Sequence, residues 1–414
     1  MFVLRKSIIF KIWQFPHLSE TFILAQIITA IKCGYNVNIL VDDLLDIEAS
    51  KQQGLIEKYK ILDKIIIENY QIPKNKLKRL FKSCYLVCIN LPYLIKLIKY
   101  LLNEKVLSIS AVYRFQFYKQ FRDYDIIHVQ YGTNVKPIDV LKKTGLISSK
   151  LVVSFHGHDA FFPINGIIPN NGYYENLFKY GDLVVANTPY LAMIIEKLGC
   201  TINKLQTIPV GVDTTFFHPL EKENKSGDFL KLISVGRLDK VKGHKYAIEV
   251  VKRIHDKGYK IFLTIVGEGV ERKNLENLIA KKKLGGIVYL TGEKNQQEVR
   301  SYFQEHDIYI LAAVPVENNR RETQGLATLE AQACGLPAVV FDSGGVKYTI
   351  NDGKTGFIVP EYDVDSMMRR IVELIDNVKL RQEMGKEAVI YAENHFSQNK
   401  INDIWCDTYN ALIE

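Results

Sequence analysis

Arg321-Glu322-Thr323-Gln324-Gly325-Leu326-Ala327-Thr328-Leu329-Glu330-Ala331-Gln332-Ala333-Cys334-Gly335-Leu336-Pro337 is the stretch whose reading decides the fold. Polar residues lead to Gly325, leucine and alanine then recur at helical spacing, and Gly335 and Pro337 end the run. The pattern predicts a loop delivering a short helix, with glycine as its left-handed terminator and proline just beyond. Glu322 precedes the helix and Glu330 projects from about its second turn. The amino end of a helix offers unpaired N–H groups and a positive dipole, which suit a phosphate, and Gly325 lets the backbone approach one closely. The two acids then stand where they can hold hydroxyls on either side of a diphosphate. The competing reading is a surface helix whose glutamates are merely solvated.

The run E-T-Q-G-L-A-T-L-E-A-Q-A-C-G-L-P-A-V-V (322–340) resembles the E-x-F-G-x-x-x-x-E-A-x-A-x-G-x-P-V-V signature of retaining glycosyltransferases of family 4, which have the GT-B fold. The resemblance implies that Glu322 meets the donor sugar, that Glu330 binds the ribose, and that the backbone at Gly325 and Leu326 meets the pyrophosphate. Gln324 stands where an aromatic residue is more usual.

A chain of 414 residues is too long for one ordinary core and predicts two domains. Its 47% apolar and 24% charged content are those of a soluble globular protein that needs no disulfide staple. The six cysteines (33, 84, 88, 200, 334, 406) show neither C-x-x-C nor metal spacing, and read as reduced, buried thiols of a cytosolic protein. Cys84 and Cys88, at i and i+4, read as sharing a helix face. The first residues lack the apolar core and cleavage site of a signal peptide. The apolar run from Cys84 to Ile95, broken by Asn90 and Pro92, is too short to span a bilayer.

The net charge of +8 is concentrated: Lys74 to Arg122 holds eleven basic residues against one acid, Glu104. Lysines interleave with Leu, Ile, Phe and Tyr at helical intervals, as in K-L-K-R-L-F-K and Y-L-I-K-L-I-K-Y-L-L. A basic amphipathic segment reads as binding an anionic membrane surface. The alternative is an ordinary helix with a solvated lysine face. Nucleic acid is set aside, because no known binding module accompanies the charge.

Along the chain, short apolar runs alternate with helical stretches: 7–12, 37–41, 126–131, 151–156 and 183–187 in the first half, then 261–266 and 307–313. Such alternation predicts parallel α/β sheets covered on both faces. Ligands of such sheets bind beyond the carboxyl ends of strands, where three polar clusters fall. Ser19, Glu20, Thr21 and the residues after them resemble the opening of the colanic-acid-type branch of the family, although Ser19 or Thr21 also suits a helix N-cap. Gln130-Tyr131-Gly132-Thr133 matches the place where relatives carry H-F-G. His156-Gly157-His158-Asp159 resembles the family's H-G-x-D, whose first histidine sits beside the anomeric centre; a satisfied core histidine is the plainer reading. The resemblance therefore implies acceptor-side roles for Ser19, Glu20, Thr21, Gly132, Thr133, His158 and Asp159, and makes His156 and Glu322 the catalytic candidates.

Past the polar stretch Glu221–Asp228, the best linker candidate, comes G-R-L-D-K-V-K-G (236–243). Two cations bounding a loop past a strand end suit a diphosphate, which arginine meets in a bidentate fork and lysine as a point charge. The match to the family's G-R-L-x-x-x-K-G implies that Arg237 and Lys242 stabilise the leaving nucleotide. Gly292 to Lys294 stand where relatives hold the base through backbone groups. After Gly344-Gly345, Lys347-Tyr348 replace an acid that relatives usually carry.

The expected architecture is GT-B: two Rossmann-like domains whose parallel sheets face each other across a cleft. The expected bounds are 1–220, with a terminal helix at 396–414 packing back, and 221–395. The resemblance implies a retaining, metal-independent hexosyltransferase with no cofactor, using a UDP- or GDP-linked donor. It further implies a lipid-linked saccharide acceptor for capsule, exopolysaccharide or O-antigen, and a cytoplasmic enzyme on the inner face of the plasma membrane. Alternatives are a soluble sucrose- or trehalose-type synthase, and a non-catalytic sugar-nucleotide-binding or membrane scaffold protein.

Overall fold

The computed structural model describes residues 6–16, 21–46, 52–103, 109–220 and 229–414. Ser19, Glu20 and the linker candidate Glu221–Asp228 lie outside the described residues. The chain divides into two compact units: 1–186 with 192–207 and 402–414, and 187–191 with 208–401.

The sheet of the first unit uses β1 (Ser7–Phe15), β2 (Asn36–Leu44), β3 (Ile65–Ile67), β4 (Ile126–Gln130), β5 (Lys150–Phe155), β6 (Leu183–Ala186) and β7 (Leu205–Thr207). All pair in parallel, in the order β3-β2-β1-β4-β5-β6-β7. The second unit pairs β8 (Leu230–Val235), β9 (Ile261–Val266), β10 (Val288–Leu290), β11 (Ile308–Leu311), β12 (Ala338–Phe341) and β13 (Gly356–Val359), again all parallel, as β10-β9-β8-β11-β12-β13. Each sheet runs outward from its first strand in both directions, the Rossmann order, with the reversal at β1/β4 and at β8/β11. β4 and β12 are buried along their whole length, as expected of strands covered on both faces.

The long stretch of the second compact unit runs from Ile208, and apolar burial holds its first residues there. Val212 and Phe217 are buried in the core that holds Ile233, Leu311 and Leu329. Val212 also hydrogen-bonds Phe396 and Gln398 through its backbone. The last helix, Gln398–Ile413, contributes its portion from Asn402 to the first unit. There Tyr409 bonds His128 at 2.8 Å and Asn402 bonds Thr29 at 2.7 Å.

The expectation of six reduced, buried thiols is corrected. Cys33 and Cys406 form a disulfide with Cα atoms 5.9 Å apart, and Cys84 and Cys88 are exposed; only Cys200 and Cys334 are buried thiols. The pair is separated by 373 residues, so no local spacing announces it. Cys33 follows the helix Thr21–Lys32, against which the terminal helix returns.

Candidate active site

In the second unit the reversal point of the sheet gathers two loops. After β8, Gly236 adopts φ +155°, and a Cβ there would press on the Lys242 side chain at 3.2 Å. Gly243 closes the loop in the left-handed region, where a Cβ would lie 1.7 Å from the Ala312 carbonyl oxygen, so only glycine fits. The loop is pinned from beneath by His244, whose ring nitrogens reach Ser234 Oγ and the Arg237 carbonyl, each at 3.2 Å. Burial lowers the His244 pKa to about 4, so the ring is a neutral prop. Sequence reasoning missed His244; its position directly after the glycine was the available signal.

After β11 the chain passes through Glu322 to Gly325, which stands at φ +81° before the helix Leu326–Ala333. Lys242 Nζ lies 2.6 Å from Glu322 Oε2, with both side chains largely buried. Glu322 also accepts the Gly325 amide at 3.2 Å. Burial alone would raise the Glu322 pKa, but Lys242 and the Gly325 and Gln324 amides outweigh it and hold the carboxyl below the ordinary range. Glu322 is therefore an ordered carboxylate. Glu330, on the helix, is compensated only in part: burial dominates, Lys242 offsets some of it, and the pKa rises to about 7. Two glutamates eight positions apart are thus tuned in opposite directions. The Gly344-Gly345 turn packs against this loop, with the Gly345 amide donating to the Glu322 carbonyl at 2.8 Å. A Cβ on Gly345 would fall 1.8 Å from the Thr323 carbonyl oxygen.

Gln324 explains its own departure from the aromatic pattern. Its side chain accepts from the Val210 amide at 3.0 Å and donates to the Val210 carbonyl at 2.8 Å, clamping the loop to the segment that opens the unit. Arg237 is exposed, and no hydrogen bond or ion pair engages its guanidinium among the described residues. Leu326 is half-buried at the start of the helix. Gly292, at φ +77°, bridges Gly267, whereas Lys294 is paired with Glu298 at 3.1 Å. Lys347 pairs with Asp342 at 3.2 Å. The structure therefore brings Lys242, Glu322 and Gly325 into contact, with Arg237 on the same β8 loop and Lys294 engaged elsewhere.

In the first unit the β4 and β5 ends are stapled by Asp159. Its buried carboxylate accepts the amides of Gly132 and Gly157 at 2.8 Å and of His156 at 3.1 Å. Asp159 thus shapes the loops from within. A Cβ on Gly132 would meet the Phe155 ring at 2.5 Å, which accounts for the glycine. His156 Nε2 lies 2.9 Å from Gln130 Oε1, and Gln130 in turn donates to Gln26 at 2.7 Å. With the amide oxygen as acceptor, Nε2 carries the proton. Phe22 and Tyr131 flank the ring at 4.7 Å, and burial lowers its pKa to about 3, so His156 is a neutral imidazole. His158 is exposed beside Tyr131, Thr133 is half-buried, and Thr21 begins the first helix. Gln26 was not foreseen, although a glutamine in the apolar helix T-F-I-L-A-Q-I-I-T-A was a visible anomaly.

Comparisons with known proteins bear on the family and the fold. Residues 87–216 match the family described as Glycosyltransferase Family 4, and residues 219–389 match Glycosyl transferases group 1. The chain is 27% identical to a putative colanic acid biosynthesis glycosyltransferase of Escherichia coli over 97% of this chain and 99% of that one. It is 26% identical to the amylovoran biosynthesis glycosyltransferase of Erwinia amylovora, covering 87% and 88%. A Rickettsia africae glycosyltransferase structure superposes with a TM-score of 0.71 at 17% identity, covering 99% of each chain. HepE of Anabaena, solved with UDP and glucose, also gives 0.71, at 15% identity and covering 98% and 99%. These folds are GT-B. The chain belongs to glycosyltransferase family 4, in its exopolysaccharide-biosynthesis branch.

Proposed function

We propose that this glycosyltransferase moves a hexosyl group, with retention of configuration and without a metal, from a UDP- or GDP-linked donor to a lipid-linked saccharide in assembly of a bacterial surface polysaccharide. The observation that carries the donor half is the Lys242–Glu322 contact at 2.6 Å beside the amino end of the helix Leu326–Ala333. Cleaving a sugar–diphosphate bond requires a place for the leaving anion. Arg237, Lys242 and the amino end of the helix supply positive charge, and donors held ready for a developing anion contribute several kcal/mol. Glu322, held ionised, orders sugar hydroxyls, and Glu330 accepts from the ribose. The neutral imidazole of His156 serves the acceptor side as a hydrogen-bonding group rather than a base. None of the candidate residues is poised as an inverting base, which favours front-face attack by the acceptor hydroxyl.

The UDP complexes of HepE favour a uridine donor, and the relatives named for colanic acid and amylovoran biosynthesis favour a polysaccharide product. The lipid-linked acceptor and the cytoplasmic face of the membrane belong to the same proposal. A thermal-shift screen against nucleotide sugars tests the first step, since a ligand at a hundred times its Kd stabilises by about 2.7 kcal/mol. Release of nucleoside diphosphate on adding a lipid-linked acceptor, with the anomer of the product read by NMR, tests the second. No stabilisation by any nucleotide sugar, or an inverted product, overturns the proposal.

A further inference from the structure

The helices Lys76–Ile89 and Leu94–Asn103, joined through Leu91–Tyr93, meet at a bend of 70°. Among the described residues no single helix is long and apolar enough to cross a membrane. The inner sides of the pair are ordinary: Ser83 and Leu86 are buried on the first helix, Leu97 and Tyr100 on the second. Leu86 packs with Val112 and Tyr113 of the helix Ile109–Tyr118.

The outer sides carry an apolar crest. Leu77, Phe81, Cys84 and Cys88 follow one another at i, i+4, i+7 and i+11 and are all exposed. Ile95, Ile98 and Leu102 repeat the arrangement on the second helix. Phe81 is 73% exposed, Ile95 72% and Leu102 69%, values normal for lysine and unusual for a run of large apolar side chains.

Charge decides what covers this face. No acidic residue occurs between Lys74 and Asn103, while Lys74, Lys76, Lys78 and Lys99 are exposed around the crest. Other cations of the segment are held by the protein's own acceptors. Lys82 donates to the Gln71 carbonyl, Lys96 to that of Gly145 at 2.6 Å, Lys119 to Asn90 at 2.9 Å and Arg122 to Tyr93 at 2.5 Å. Several cations are therefore tied to the protein's own acceptors while the apolar side chains are turned out.

We infer that the crest of Leu77, Phe81, Ile95 and Leu102 inserts into the boundary between headgroups and acyl chains of an anionic bilayer, the exposed lysines resting on phosphates at its rim. Insertion, rather than the count of charges, carries the attachment. The inference rests on the membrane part of the proposed function and specifies how contact is made.

The test is sedimentation of the full chain with vesicles of phosphatidylcholine alone and with about one-third phosphatidylglycerol, at about 0.1 M and about 1 M salt, where the Debye length falls from roughly 10 to 3 Å. The expected result is binding to the mixed vesicles that weakens with salt but persists. Leu77→Ser with Phe81→Ser, Ile95→Ser and Leu102→Ser should lower the high-salt partition by on the order of tenfold or more. Lys74→Gln with Lys76→Gln, Lys78→Gln and Lys99→Gln should lower only the low-salt partition. Phe81→Trp should be quenched by lipids brominated near the top of the acyl chain. Complete loss of native binding at high salt, no binding to either vesicle, or serine variants that alter oligomeric state instead of partition would each overturn the inference. Nucleotide-sugar stabilisation, measured on the same variants, reports their folding and stands or falls independently of the crest.

Discussion

Lys242→Met is the perturbation that most directly separates the two roles assigned to Lys242. Its ammonium neutralises Glu322 at 2.6 Å, with the two side chains only 17% and 15% exposed. Removing one member of such a pair strands a buried charge and costs about 3 to 5 kcal/mol. For a unit of this size each kcal/mol moves the melting temperature by roughly 2–4 °C, so a loss of about 6 °C or more is expected. Glu322→Gln alone strands the lysine and should cost a similar amount. Lys242→Met with Glu322→Gln leaves no charge, and the melting temperature should return to within about 2 °C of the native value, since the cycle isolates the pair term. Nucleoside diphosphate binding should behave otherwise. Loss of a charged hydrogen bond worth about 1.5–3 kcal/mol weakens binding roughly ten- to a hundredfold in Lys242→Met, and the double variant should not recover it. The sign of the pH response is also fixed. Without Lys242, burial pushes the Glu322 carboxyl up, so the folded form retains that proton more firmly than the unfolded chain and Lys242→Met loses stability as pH rises through the raised value. A single variant melting within about 2 °C of native, or a double variant that binds diphosphate like native, would refute the assignment.

Glu330 has its pKa raised from 4.5 to about 7 by burial, so its stabilising contribution is full below 4.5 and is lost as pH rises through 7. Glu330→Gln should therefore lose less melting temperature than native between about pH 5 and 8, and nucleotide affinity should rise through about pH 7 in the native chain only. Asp159→Asn replaces an acceptor of three backbone amides with a group that also donates, which should cost about 3 kcal/mol. Denaturation should register that loss while nucleotide titration, which reads the second unit, stays near native. Alkylation of the native chain followed by peptide mass spectrometry should modify Cys84 and Cys88, spare Cys200 and Cys334, and find Cys33 linked to Cys406. Alkylated Cys33 without added reductant would contradict the disulfide.

What was legible in the sequence was what depends on neighbours along the chain. A buried parallel strand is an apolar run, and its functional end is the glycine or polar cluster that interrupts the run, so the β8 and β11 loops were visible. What was not legible depends on partners brought together by the sheet. Lys242 and Glu322 were each picked out, but nothing in their spacing announces that they neutralise one another. Lys11, in the run S-I-I-F-K-I, shows the same limit: an apparent surface lysine in a buried strand, paired inside with Asp42 and Glu68 from β2 and the end of β3. The cysteines failed because a pair 373 residues apart has no local signature. Gln324 marks the boundary between the two cases. A polar residue where relatives carry an aromatic reads as a weakened motif until the Val210 amide and carbonyl are found on either side of it. In this chain the residue holds its place through two hydrogen bonds to the Val210 backbone. Gln324→Phe should fail here, because it restores the family's residue while leaving both Val210 groups without their partner.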